Sequence, residues 1–266
     1  MSLDRPKCLT FAISLDNIPS DMIYQLENEI RQSCPDRLTW QKTIPTFHPE
    51  SAEEAAEIFR RAGQYGQKIF IAGFGNNVDP VGDTFADLLV IKTDRLNYID
   101  LTAARDFSIT VGAGYPLIEI NHAIAQDKLW FPFSQTNYPG SAGGALACGL
   151  AGSDGSHQVP LSRFLLAVTA VLPDGSLVRP GALTFKSVSG YDVSRIFFNS
   201  WGSLGLIVEL SFRVLPISKR GEWPRIPLFP VDREGFVDTL QGNTPESDLC
   251  RRLKDEFDPD RLLPLV

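Results

Sequence analysis

The sequence predicts an α+β fold with a substantial core. Segments with helical spacing alternate with short β-type runs, yet many connections read as hairpins, which argues against a doubly wound sheet. The clearest is Pro173-Asp174-Gly175-Ser176 between two apolar runs. The composition, 43% apolar and 21% charged over 266 residues, is that of a globular chain. The third observation is an apolar, glycine-rich stretch at residues 139–152, P-G-S-A-G-G-A-L-A-C-G-L-A-G. Its glycines are too frequent for a stable helix interior or a central strand. Its small side chains leave the main chain open, either as a bed for a large ligand or as a loop packed on a neighbour.

Taken in order, Met22, Ile23, Leu26 and Ile30 have helical spacing behind Ser20 as N-cap. Pro45 and Pro49 flank an extended piece. Ser51 and Glu54 form a capping box that opens a helix with Ala55, Ile58, Phe59 and Ala62 inward, ended by Gly63 and Gly66. Residues 68–72, K-I-F-I-A, make a buried strand, and A-G-F-G-N-N at 72–77 turns the chain. Val78 stands where a nicotinamide-type dinucleotide motif needs its third glycine, and Asp79-Pro80 opposes a helix there. The turn is an ordinary strand-to-loop connection or a nest of N–H groups for an anion.

Residues 87–91 and 96–100 are short strands, and Phe107, Ile109 and Val111 alternate as a half-buried strand. Pro116 opens a helix carrying Leu117, Ile118, Ile120 and Ile124 as far as Asp127. Residues 129–132 return extended into the glycine-rich stretch, and a polar loop follows at 152–160. A long strand at 164–172, the hairpin, a short helix at 193–198 and a last strand from 203 to 216 complete the pattern. Beyond lie a Pro-rich run at 224–230 and one amphipathic helix at 245–257.

The net charge of −7 excludes the basic surface that nucleic acid requires. No apolar run approaches the roughly 18 residues of a membrane span, and the first residues hold no secretory signal. Cys8, Cys34, Cys148 and Cys250 are scattered without a C-x-x-C or Cys/His cluster, which reads as reduced thiols in a cytoplasmic protein without a metal site. Cys148 reads as an apolar filler, and His48, His122 and His157 as surface or loop residues.

These pieces together resemble the FAD-binding domains of the vanillyl-alcohol oxidase and p-cresol methylhydroxylase (PCMH) type, and among them the FAD-binding subunit of bacterial glycolate oxidase. The resemblance covers residues 47–216. It rests on H-P-E-S-A-E-E-A at 48–55, A-G-F-G-N-N at 72–77, G-A-G-Y-P at 112–116 and the glycine-rich stretch. The most specific parts are K-S-V-S-G-Y-D-V-S-R at 186–195 and W-G-S-L-G-L-I-V-E at 201–209. The tail L-K-D-E-F-D-P-D-R-L-L-P at 253–264 resembles that of the same subunits.

The resemblance implies an N-terminal extension at 1–45, two FAD-binding subdomains at 46–100 and 101–216, and a short C-terminal remnant at 217–266 in place of a substrate or cap domain. It places FAD, held non-covalently, between the subdomains. Ala72, Gly73, Phe74, Gly75, Asn76 and Asn77 would cradle the pyrophosphate. Pro139, Gly140, Ser141, Ala142, Gly143, Gly144 and Ala145, with Ala147, Gly149 and Gly152, would line the ribityl and diphosphate path. Gly205, Leu206 and Ile207 would pass beside the flavin ring. Phe74 stands where the family usually has a middle glycine, and no His sits in that loop to bond the flavin. Lys186, Tyr191 and Asp192 have acid–base chemistry, but in the family their segment is structural, so no catalytic residue is assigned. The implied activity is oxidation of a 2-hydroxy acid through FAD with partner subunits. The alternative is a structural or regulatory subunit that keeps the fold with weak or no FAD binding. An enolpyruvyl-sugar reductase or the flavin subunit of a molybdenum hydroxylase would share the fold.

Overall fold

A computed structural model describes residues 22–153, 157–182, 193–222 and 231–264. Ser20, Lys186, Tyr191, Asp192 and the Pro-rich run at 224–230 lie outside them. The described chain runs α1 (Met22–Ser33), β1 (Leu38–Gln41), β2 (Ile44–Phe47), α2 (Ala52–Tyr65), β3 (Ile69–Ala72), β4 (Leu89–Lys92), β5 (Ile99–Asp100), β6 (Ser108–Gly112), α3 (Ile120–Ala123) and β7 (Leu129–Trp130). It continues through α4 (Ala142–Ala147), β8 (Ala151–Ser153), β9 (Gln158–Pro160), β10 (Leu165–Val171), β11 (Leu177–Val178), β12 (Leu206–Arg213), β13 (Leu215–Pro216), α5 (Arg233–Gln241) and α6 (Pro245–Phe257).

Two sheets carry this α+β arrangement. The first has the order β1-β2-β4-β3, with β1 and β2 antiparallel and β4 parallel to both β2 and β3. The parallel pair requires a crossover, which α2 supplies between β2 and β3. Its entry is capped as the sequence pattern predicts: Glu54 N–H donates to Ser51 Oγ at 3.1 Å. The Glu54 carboxylate reaches one residue further back and accepts from Glu50 N–H. The second sheet, β11-β10-β12-β6-β5, is antiparallel throughout, as the hairpin reading requires. Ala55, Ile58 and Phe59 of α2 share one apolar cluster with Ile69 and Ile91 of the first sheet and Val171, Leu206 and Val208 of the second, so α2 lies between the sheets.

The glycine-rich stretch departs from its expectation, because 142–147 is an α-helix, α4. Helix propensity argues against it, but tertiary partners override propensity: Ser141 Oγ caps it, and Ala142 and Gly143 N–H donate to Tyr115 O and Ala113 O. The helix predicted at 116–127 is broken into a 3-10 turn, α3 and a second 3-10 turn. Phe107 is not part of β6; it sits at φ 59° and is 40% exposed. Cys34 is disulfide-bonded, which corrects the all-thiol reading; a single cysteine with no C-x-x-C neighbour gives no local signal of such a bond. Cys148 and Cys250 are free thiols.

The helix at 245–257 is present as α6, whereas α5 had no expectation behind it. A buried ion pair fastens this C-terminal segment. Lys254, 3% exposed, donates to Asp258 Oδ2 at 2.5 Å and to the Ser203 and Leu263 carbonyls at 2.8 Å each. Asp258 accepts in turn from Leu262 and Leu263 N–H. Leu262 O accepts from Ile69 N–H at the start of β3, so the segment is tied both to the first sheet and to the turn entering β12. No described helix is long and apolar enough to cross a membrane.

Candidate functional site

The C-terminal ends of β3 and β4, the helix α4, the turn entering β12 and the helix α5 converge on one cleft. It encloses about 830 Å³, a figure that includes its open mouth. Four features define its chemistry.

The first is the turn after β3. None of the main-chain N–H groups at 73–78 donates a hydrogen bond among the described residues. The turn is held instead by side chains: Asn76 Nδ2 donates to Pro139 O at 3.1 Å and Asn77 Nδ2 to Tyr138 Oη at 3.2 Å. Gly75 takes φ +85°, open to glycine at little cost, and a Cβ on Gly73 would lie 2.8 Å from Ser141 Oγ. Glycine therefore lets the turn lie against α4 with its donors unused.

The second is Thr93, at the end of β4. Its side-chain hydroxyl is buried and has no hydrogen-bond partner, and the residue lines the cleft at 4% exposure. The following residue is fixed: Asp94 accepts from His48 Nδ1 at 2.7 Å, while His48 Nε2 lies 2.8 Å from Thr39 Oγ1. Burial alone would raise the Asp94 carboxyl, but the hydrogen bond and charge of His48 hold it below the usual range. His48 is therefore a buried clamp, 9% exposed, rather than a surface residue.

The third is an aromatic and apolar side formed by Ile71, Trp201, Phe236 and Val237. The Trp201 and Phe236 rings lie 6.5 Å apart, and Trp201 N–H is anchored on Ala147 O at the end of α4. The fourth is charge. Arg233 is the one Lys or Arg among the described residues lining the cleft. Cys148 also lines it, 3% exposed, and burial pushes its thiol up. Burial likewise raises the neighbouring Tyr138 phenol well above its ordinary value.

Ala72, Gly73, Asn77, Gly143, Gly144, Ala147, Gly205 and Ile207 are brought together on this cleft. Phe74, Gly75 and Asn76 lie on the same turn without lining it, and Pro139, Gly140 and Ser141 form the approach to α4. Ala142 and Ala145 are fully buried in the core, Gly149 packs on Asn199 beyond α4, and Gly152 is in β8. Leu206 faces the α2 side of the second sheet. Thr93, Trp201, Arg233 and Phe236 were not foreseen. Trp201 stood in a recognised motif, but Thr93 and the α5 residues carry no local signal.

The profile of the family described as FAD binding domain matches residues 45–181. The chain belongs to this family. It is 25% identical over 221 residues to the mitochondrial D-lactate dehydrogenase [cytochrome] of Arabidopsis thaliana, covering 75% of this chain and 38% of that one. It is 36% identical over 110 residues to glycolate oxidase subunit GlcE of Escherichia coli, covering 41% and 31%. An alkyldihydroxyacetonephosphate synthase structure superposes with a TM-score of 0.53 at 19% identity, covering 72% of this chain and 37% of that one, a likeness of fold alone. The matched part of each relative is thus under two-fifths of its length. This FAD-binding domain has a PCMH-type fold, and its named relatives include oxidoreductases.

Proposed function

We propose that the chain holds FAD non-covalently in this cleft and serves as the FAD-binding subunit of a 2-hydroxy-acid oxidoreductase of the glycolate-oxidase type. The observation that carries the reading is the turn after β3, whose N–H groups lack acceptors among the described residues, with the unpartnered Thr93 hydroxyl on the same cleft. Oriented amides of this kind satisfy phosphate charges. The Trp201 and Phe236 rings give a flat heterocycle a surface to stack on. The residues 72–77, 139–145, 147, 149, 152 and 205–207 form the proposed cofactor path, between subdomains at 46–100 and 101–216.

When bound, the flavin supplies hydride and electron transfer. The chain's own residues bind and orient it and exclude water. Among the described residues lining the cleft there is no carboxylate or imidazole, and burial pushes the Cys148 thiol up. In this reading partner subunits complete the substrate site or accept the electrons, and no catalytic residue of this chain is assigned. Non-covalent binding is supported by the lack of a described His in the cleft and by the raised Cys148.

A second reading, a structural subunit without FAD, draws on α4, whose first N–H groups all have internal acceptors and so offer a cofactor no donors. An absorbance spectrum of the purified protein, before and after added FAD and desalting, separates the two. Retained flavin bands that acid releases support the proposal. A colourless protein that rejects FAD supports the second reading.

A further inference from the structure

We propose that Arg233 binds the phosphate oxygens of the ligand in the cleft, making α5 a recognition element rather than a packing remnant. The proposal deepens the FAD reading and rests on it for the identity of the ligand. Arg233, Phe236 and Val237 lie at i, i+3 and i+4 of α5, hence on one face, and all three line the cleft. That face is aromatic and apolar except for the guanidinium.

Arg233 makes no hydrogen bond or ion pair among the described residues, although it is only half-exposed. Of the other arginines at 231–264, Arg251 pairs with Asp248 and Arg261 with Asp255, while Arg252 has no such partner among the described residues but is exposed and does not line the cleft. The position of Arg233 is also electrostatically adverse for the helix. The first turn of a helix favours anions, and a cation there opposes the macrodipole. The N-cap Asp232 and the following Glu234 are the residue types expected, and Arg233 between them is not. Helix stability does not account for it. A ligand anion does.

The cleft is lined by Gly73, Asn77 and Val78, whose N–H groups have no acceptor among the described residues, and by Thr93 with its unpartnered hydroxyl. An anionic group entering there finds neutral donors on one element and a guanidinium fork on another, which suits bidentate contact with phosphate oxygens. In a chain of net charge −7, a local cation also offsets repulsion of an anionic ligand. The side chain is borne on a fixed element, because Arg251 of α6 donates to Leu240 O at 3.1 Å at the end of α5, and Lys254 locks α6.

The test is calorimetric titration of the purified protein with inorganic pyrophosphate, FAD and riboflavin, for wild type, Arg233→Gln and Arg233→Lys, with circular dichroism to verify the fold. Arg233→Gln is expected to weaken pyrophosphate and FAD by about ten- to a hundredfold, the worth of a charged hydrogen bond. It leaves riboflavin unchanged, and Arg233→Lys recovers part of the loss. Equal pyrophosphate binding in wild type and Arg233→Gln, or no binding by wild type, overturns the proposal, as does an equal loss for FAD and riboflavin. If wild type binds pyrophosphate through Arg233 but rejects FAD, the FAD reading fails and the anion site stands.

Discussion

The turn after β3 and the start of α4 are both glycine-rich, both look like phosphate cradles in the sequence, and they touch each other. Their amides are used in opposite ways. At 73–78 no N–H has an acceptor among the described residues, whereas at α4 the N–H groups of Ala142, Gly143 and Gly144 go to Tyr115 O, Ala113 O and Ser141 Oγ at 2.8, 2.9 and 3.2 Å. Glycine in a sequence marks where backbones approach closely. It does not say whether the approach is to a ligand or to the protein's own main chain. In α4 the approach is to the protein, and a Cβ on Gly143 would lie 2.7 Å from Ala113 Cβ.

The contrast can be broken in several places, and the largest effect lies in the C-terminal segment tied to β3 and to Ser203. Lys254→Met leaves Asp258 as an unpaired charge at 0% exposure and is expected to cost about 3–5 kcal/mol in denaturant unfolding. Replacing both partners with apolar residues should return most of that loss. A return to full stability by the single variant would remove the clasp from the account. Next, Gly143→Ala is expected to cost ~1–3 kcal/mol in denaturant unfolding by overpacking against Ala113. A variant as stable as wild type would remove the Ala113 contact as the reason for this glycine.

Thr93→Val sharpens the comparison from the other side. Removing a buried hydroxyl without a partner should stabilise the ligand-free protein by ~1 kcal/mol and weaken FAD binding, two opposite signs from one substitution. Melting with and without ligand reads both. The smallest effect is kinetic. Because burial holds the Cys148 thiol up, its alkylation should stay slow through neutral pH and accelerate only above the usual thiol range, with the half-exposed Cys250 reacting first. Mass spectrometry of partly alkylated protein checks the order.

The family and most elements were legible because their signals are local. Ser51 and Glu54 announce α2, Pro173 to Ser176 the β10–β11 hairpin, and the spacing at 245–257 fits α6. What was missed depends on partners far along the chain. α4 is helical because Ala113 and Tyr115 accept its first amides, which no window around 142–147 contains. His48 is buried by Thr39 and Asp94, 9 and 46 residues away. The cleft residues Thr93, Arg233 and Phe236 follow the same rule, since two come from a helix whose pattern is mostly polar.

The hydrogen bond from Ile69 to Leu262 closes a loop that spans most of the described chain. Such contacts form late, because the entropy of closing them precedes any return. On a growing chain, both sheets and both glycine turns leave the ribosome before α5 and α6 exist. For that interval the cleft stands open on the side where Arg233 and Phe236 will lie. The last helices thus complete the wall of the cleft that carries Arg233 and Phe236, and their docking decides when that wall is present.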